Sequence, residues 1–529
     1  MKRILKYFCL TLMVPIVFSC TDLEIEATDS LITDGFAGVA NVQGEVSNIS
    51  NIIAADPLGG QDNLFALNEV SSDEYVVATR GTDWGDNGRW LALHRQTWNA
   101  ELQDVVQSWQ ELNSITINAT RIINEKSENT AGGDLTQLKA EARFYRAWTM
   151  HWILDMWRQV PFRDVDLPNS AIPEVLTGQA AIDFIVADLN AAIADLPEVT
   201  AGDAIAMKSR PSKASANHLL AKVLLNKHVY LGTAAEAADM QVIINAVDQI
   251  SAAGYSLAAS GDYFDIFRPS NDVETLWWSP ANAGRKTWHT LHYSQNSPDN
   301  GGGGWNGFAT LSEFYQSFEG DPDTNYVGDG QEERRGWVPD ATTANADNLG
   351  IGYGFLIGQQ YNEDGTPLDA RDNVGGVPLV FTKEVEQPEY TAPADNALLE
   401  TSGTRMLKYH PNEEGGGERR HVVKYRYADS YLMKAEAMFR MGSDPTTMIN
   451  DLRTLRGASP LATVGEAELL AERGRELYEE LVRRQDLIRF GQFTRAWNLK
   501  DAGDSHLEIF PIPIADVLAN PNLVQNPGY

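Results

Sequence analysis

Cysteine is almost missing from this chain: 529 residues contain 2, Cys9 and Cys20. No disulfide framework can be built on so few. Positive charge is also scarce, with 42 Lys and Arg against 73 Asp and Glu and a formal net charge of −31. A surface this acidic repels phosphates and anionic headgroups, which excludes nucleic acid and anionic lipid as partners. Anionic polysaccharides are disfavoured for the same reason, whereas neutral glycans are compatible. Histidines number 9 and are scattered, with His151 and His218 inside helical patterns. The sequence has no Gly-x-Ser-x-Gly elbow, no His-Glu-x-x-His helix and no phosphate-cradling Gly-Lys-Ser/Thr loop, so the usual signatures of serine, zinc and nucleotide chemistry are missing. No Pro/Ser-rich linker or composition break divides the chain, and one large domain is expected.

The N-terminus reads as a targeting segment. Lys2, Arg3 and Lys6 precede an apolar run from Tyr7 to Phe18. That run, roughly a dozen residues, is too short to cross a hydrocarbon core of about 30 Å and has the form of a secretory signal. Val17-Phe18-Ser19-Cys20 resembles a lipoprotein processing site, with an ordinary signal peptide cleaved nearby as the alternative. Cleavage before Cys20 removes residues 1–19 and their three positive charges, taking the formal charge from −31 to −34. It leaves Cys20 as the sole cysteine and an acylation site, and several acyl chains on one residue anchor firmly where one does not. The acidic stretch Thr21–Glu26 then serves as a short tether.

Helical periodicity dominates two blocks. From Glu101 to Asn124, apolar residues fall at Leu102, Val105, Val106, Trp109, Leu112, Ile115, Ile122 and Ile123, the 3–4 spacing of an amphipathic helix. After Gly132-Gly133-Asp134 a second helix is expected over Leu135–Trp157, stopped by Pro161. Further helices are expected over Gly178–Leu196, Lys213–Leu231 and Met240–Ala253, and again over Tyr425–Met441 and Glu466–Phe490. The fold class is therefore mostly α: a tetratricopeptide-like array of degenerate helix pairs, about residues 100–253 and 421–495. Between about residues 254 and 420 the pattern collapses into Gly-, Asn- and Asp-rich sequence with short extended runs, a loop-rich insertion expected to carry the ligand-binding function.

Several segments resemble the SusD/RagB glycan-binding lipoproteins of Bacteroidetes. They are Ala140-Glu141-Ala142-Arg143-Phe144-Tyr145-Arg146-Ala147, Lys424–Ala437, Ile449-Asn450-Asp451-Leu452-Arg453, Glu472–Leu477 with Arg483–Gly491, Phe510-Pro511-Ile512-Pro513 and Asn520-Pro521-Asn522-Leu523. Their order along the chain is more specific than any one of them. The resemblance implies four helix pairs plus a loop-rich region, and a position on the outer face of the outer membrane. It also implies a partner, a SusC-like TonB-dependent β-barrel transporter on which such proteins act as a hinged lid. The arginines in these segments (Arg143, Arg146, Arg475, Arg483, Arg489) lie near acids such as Glu141, Glu472, Glu479 and Asp486. They read as structural ion pairs between helices, not as catalytic groups.

A sugar offers C–H faces and a rim of hydroxyls, so its site needs aromatic rings and planar polar groups. The best cluster runs from Arg80 through Asp83 and Trp84 to Trp90, two tryptophans in a Gly- and Asp-rich loop; SusD-like proteins carry a similar Asp-Trp segment here. Trp84 either stacks on sugar or packs its loop, and Trp90 leans towards core. The second cluster holds Trp288 and Tyr293, then Gly301-Gly302-Gly303-Gly304-Trp305-Asn306, where glycine lets backbone approach a ligand. The candidate ligand-binding set is Trp84, Trp305, Trp288, Arg80, Asp83, Tyr293, Asn306 and Trp90. Trp277 and Trp278 read as packing residues.

Asp321, Asp323, Asn325, Asp329 and Glu332 fall at calcium-loop offsets. Tyr326 stands where such loops carry glycine, so a solvated acidic turn is the default and structural calcium the alternative; no cofactor is required. No enzyme is expected. The leading reading is capture of an oligo- or polysaccharide, weakly favouring a neutral β-glucan such as laminarin, for delivery to the transporter. Its rivals are a docking lid with little glycan affinity of its own and a surface glycoside hydrolase.

Overall fold

The computed structural model describes residues 38–529 apart from residues 40, 81–82, 126–133, 169, 297–301, 371–375, 387–399 and 413–419. Cys20 and the signal segment thus lie outside the described residues. Among the described residues, no helix is long and apolar enough to cross a membrane.

The chain enters through α1 (Val42–Ala54), a helix that the periodicity analysis did not single out. Asn41 caps it by accepting the Gly44 amide at 3.0 Å, and Val42, Val46, Ile49 and Ile53 bury one face. Three short helices follow: α2 (Asp56–Gly59), α3 (Leu64–Glu69) and α4 (Arg89–His94). The long scaffold helices are α5 (Gln103–Ile123), α6 (Leu135–Trp157), α7 (Gly178–Asp195), α8 (Lys213–Leu231) and α9 (Ala237–Ala252), within a few residues of their expected bounds. Asp134 caps α6 through the Thr136 amide, and Ser212 and Ser215 form a reciprocal capping box at the start of α8. Each helix packs on the next, α5 on α6 and so on to α9. The inner helices α6 and α8 are buried around most of their circumference because neighbours cover both flanks.

The second helical block comprises α12 (Tyr427–Arg440), α13 (Thr446–Leu455), α14 (Glu466–Leu477) and α15 (Arg483–Arg489); α12 packs on α9 and α14. One continuous helix was expected over Glu466–Phe490, but it breaks at Tyr478–Val482. Glu479 and Leu481 adopt left-handed φ values of 65° and 62°, a costly conformation for side-chain-bearing residues. Compensation comes from within: the Glu479 amide donates to the buried Glu74 carboxylate and the Leu481 amide to buried Glu69.

Buried ion pairs tie the helices together. Arg146 grips Asp188 of α7 with two bonds of 2.6 and 2.8 Å. Arg489 grips Glu436 of α12 with two of 2.7 Å, and Arg483 grips Asp73 at 2.7 and 2.9 Å. Burial alone would raise the Glu436 carboxyl, but Arg489 more than offsets it and holds it down to about 2. These arginines have the expected structural role, although most partners lie outside the arginine's own helix. Glu141, for instance, pairs with Arg210 of the segment before α8 at 2.8 Å.

The region between α9 and α12 is built from short strands and two short helices, α10 (Gly284–Thr290) and α11 (Ser312–Tyr315). Strand β2 (Thr275–Asn282) pairs antiparallel with β6 (Arg420–Arg426), joining the start of the loop-rich region to its end. Further pairs link β1 (Tyr75–Val77) to β3 (Phe308–Thr310) and β5 (Arg405–Leu407) to β4 (Tyr353–Leu356). The largest hydrophobic core draws residues from Val39 to Leu523 and includes Trp277, Phe308, Phe355 and Met406 of the loop-rich part, with two smaller clusters beside it, one around Leu291 and Phe381 and one around Leu432 and Leu469. Trp277 packs on Phe144 and Trp148, while the half-buried Trp278 donates Nε1 to Ile205 O at 2.7 Å, so both are packing residues as expected.

Candidate functional site

Helix α10 (Gly284–Thr290) and the glycine run after it set the geometry of the site. At the end of α10, four consecutive amides cross the helix terminus and cap its orphan carbonyls. Gly304 N donates to His292 O at 3.0 Å, Trp305 N to Trp288 O at 2.5 Å, Asn306 N to Leu291 O at 2.8 Å and Gly307 N to His289 O at 2.7 Å. Only glycine allows so close a crossing. A Cβ on Gly304 would lie 2.1 Å from Leu291 O, and one on Gly303 would lie 1.9 Å from Tyr293 O. Gly303 and Gly304 therefore serve backbone-on-backbone packing and not the approach of a ligand that their composition suggested.

This crossing turns the Trp305 side chain outward. Of the 13 tryptophans, all of them among the described residues, Trp305 alone is exposed, at 45% of its full accessibility. Trp84 reaches it from the other end of the sequence, donating Nε1 to Trp305 O at 2.6 Å. The half-buried Trp84 indole lies over Gly307, where a Cβ would come within 2.4 Å of the ring. Trp288 stands 6.1 Å from Trp305 with an interplanar angle of 44°. The sequence-predicted tryptophans 84, 288 and 305 thus converge on one outward-facing aromatic platform.

Beneath it lies a layer that pattern reading did not isolate. His289 stacks on Phe308 at 5.6 Å and 10°, and it lies 5.1 Å from Trp305 and 5.3 Å from Trp84. His289 follows Trp288 and Phe308 lies two residues beyond Asn306, but nothing in the sequence marks them as a supporting layer. Trp90, expected among the ligand-binding residues, belongs to this floor and not to the outward-facing rings. It is buried, donates Nε1 to Asp86 at 2.5 Å and packs 5.4 Å from Phe308, with the Arg89 guanidinium 4.4 Å over its ring.

The polar candidates divide in the same way. The Tyr293 hydroxyl donates to the Asp83 carboxylate, joining the two loops at the edge of the platform. Asn306 is fully buried at φ 54°; its Nδ2 donates to Glu400 O and its Oδ1 accepts from Arg405, so it pins the crossing and faces no ligand. Arg80 is buried as well, donating Nη1 to Ser402 O at 3.0 Å, and burial pushes its guanidinium down to about 10.

The calcium-offset residues do not converge. Asn325 is buried, donating Nδ2 to Arg335 O and Phe355 O, and Glu332 turns inward onto Arg334 at 2.5 Å. Asp329 accepts from the Thr324 hydroxyl and the Tyr326 amide, Asp323 pairs with Lys383, and Asp321 accepts the Asp323 amide. Among the described residues no three metal-ligating side chains form a group. The spacing held, but the chain folds as an acidic turn braced by its own amides.

Residues 273–529 match the SusD family. The match covers 257 of the 529 residues, and similarity to a curated SusD protein extends over most of the rest. The chain is 24% identical to the starch-binding protein SusD of Bacteroides thetaiotaomicron, an alignment covering 92% of this chain and 90% of that one. A SusD-like protein of Bacteroides fragilis superposes with a TM-score of 0.66 at 18% identity, covering 92% of this chain and 96% of the other. A laminarin-binding SusD-like protein superposes with a TM-score of 0.63 at 20% identity, covering 92% and 99%. These two neighbours establish the fold. SusD and the laminarin-binding protein are named as binding proteins, in line with the expectation that this chain is no enzyme.

Proposed function

We propose that this chain is a cell-surface glycan-binding lipoprotein of the SusD family. The observation that carries the reading is the platform: one exposed tryptophan, two half-buried ones beside it, and a rigid aromatic floor. Such rings stack on the C–H faces of sugars, each contact worth about 1 kcal/mol. Affinity built on a few of them is modest, which suits a site that hands cargo on. The net charge of −31 favours a neutral glycan, and the naming of relatives for starch and laminarin fits that class. A β-glucan of the laminarin type is the substrate proposed. Acylation of Cys20 would hold the chain at the outer face of the outer membrane, and a SusC-like TonB-dependent transporter would receive the glycan.

Affinity electrophoresis of the chain from residue 21 tests this, with laminarin, levan, starch, mannan and xylan in separate gels. Retardation in the laminarin gel is expected. Free migration in all five would discard glycan capture in favour of a role in docking the transporter.

A further inference from the structure

Away from the platform, a cleft of about 600 Å³ opens between the segment 258–273, the turn at 347–353 and Asn412. No platform residue lines it. Its volume falls within the roughly 300–1,000 Å³ of small-molecule sites.

The polar groups of the cleft are fixed in advance. Asn271 Oδ1 accepts the Ile205 amide at 2.7 Å, and Asn412 Nδ2 donates to Ala346 O and Asp347 O at 3.1 and 2.6 Å. Asp272 Oδ1 accepts the amides of Glu274 and Thr275 at 2.7 and 2.6 Å. Arg268 is held between Asp265 at 2.8 Å and the Tyr353 hydroxyl at 2.7 Å. The two asparagines each commit one end of their amide to the protein. The other ends, Nδ2 of Asn271 and Oδ1 of Asn412, supply a donor and an acceptor at the cleft wall. Groups positioned in this way lose little entropy when a ligand arrives.

The chemistry of the lining selects the ligand. Tyr353, the one aromatic residue of the lining, has its ring taken up by His410 at 4.6 Å and Phe264 at 5.0 Å. No ring is offered for stacking, which distinguishes the cleft from the platform. Carboxylates, amides and a guanidinium remain, the planar groups that exchange paired hydrogen bonds with vicinal hydroxyls. Among the described residues no three carboxylates group as metal ligands, so the lining is not arranged around a cation.

We infer that this cleft is a second saccharide subsite, one that takes a neutral glycan edge-on by its hydroxyls. The inference rests on the glycan-binding reading above and adds a second point of attachment to the same chain. Two weak sites that engage one polymer together raise avidity well beyond either alone.

Laminarin and starch gels, with titrations of laminarihexaose and maltohexaose, test it on the whole soluble chain. Two cleft variants are compared: Asn271→Ala with Asn412→Ala, and Val273→Trp, which fills the cleft without breaking any of these bonds. Each is expected to weaken polymer binding about tenfold or more, and each should abolish the residual retardation left by Trp305→Ala. Retardation unchanged in both cleft variants, with Trp305→Ala still weakening it, would overturn the subsite and leave the platform standing. No retardation of the unaltered chain in either gel would overturn both.

Discussion

Replacing Trp305 by alanine is expected to separate binding from stability. The ring is 45% exposed, and the bonds that hold the residue run through its backbone: its amide to Trp288 O and its carbonyl from Trp84 Nε1. Alanine keeps both. The stacking ring accounts for about 0.5–1.5 kcal/mol, and 1.4 kcal/mol is a factor of about ten, so glycan affinity should fall between about twofold and twelvefold. The melting temperature should stay within a degree or so of the parent. Trp84→Ala makes the contrast. It removes a hydrogen bond worth about 1 kcal/mol and the packing on Trp90, His289 and Phe308. A fully buried tryptophan costs about 3–5 kcal/mol; half-burial here sets the loss nearer 2–3 kcal/mol. Calorimetric titration and differential scanning calorimetry on the two variants read both quantities. Unchanged affinity in Trp305→Ala would remove the ring from ligand contact. Undiminished stability in Trp84→Ala would refute its role as a staple between the two loops.

Three further outcomes follow from the packing. Gly304→Ala places a methyl group 2.1 Å from Leu291 O; the crossing must shift, costing about 1–3 kcal/mol, and glycan retardation should weaken although no ring has been removed. Arg489→Ala leaves Glu436 and Asp486 short of a buried partner and should destabilise by about 3–5 kcal/mol in chemical denaturation. Burial lifts the Glu69 carboxyl from 4.5 to about 7, so the folded chain holds that proton more tightly than the unfolded one. This contribution to stability is complete below pH 4.5 and is lost as pH rises through 7; Glu69→Gln should flatten the fall of melting temperature across that window.

Long-range structure was legible where local pattern and burial agree. Helices α5 to α9 follow the 3–4 spacing of their apolar residues, and the serine capping box and Gly232 start and stop α8, whereas α6 ends at a left-handed Arg158, three residues before the Pro161 expected to stop it. The platform was legible too, because Trp84 and Trp305 stand in Gly-rich loops and Trp288 on a short helix before the glycine run, all outside the long scaffold helices. Depth was not. Trp90 and Asn306 share the same loops and composition, yet one lies on Phe308 and the other on Arg405. Burial is decided by partners about a hundred or more residues away, which no local window contains. The break at Glu479 eluded periodicity for a related reason: its cause is the pair of carboxylates on Glu69 and Glu74. The calcium offsets show the converse, correct spacing emptied of meaning once Glu332 turns onto Arg334.

The shared core sets a limit on engineering this fold. Cutting at residues 254 and 420 to transplant the loop-rich part onto another scaffold would strip Trp277 from its seat on Phe144 and Trp148. It would also leave Trp305 without Trp84. The aromatic platform is no detachable cartridge, because its keystone, Trp84, is supplied from outside the loop-rich part. New specificity in this fold has to be written in place, ring by ring, on a platform that the whole molecule braces.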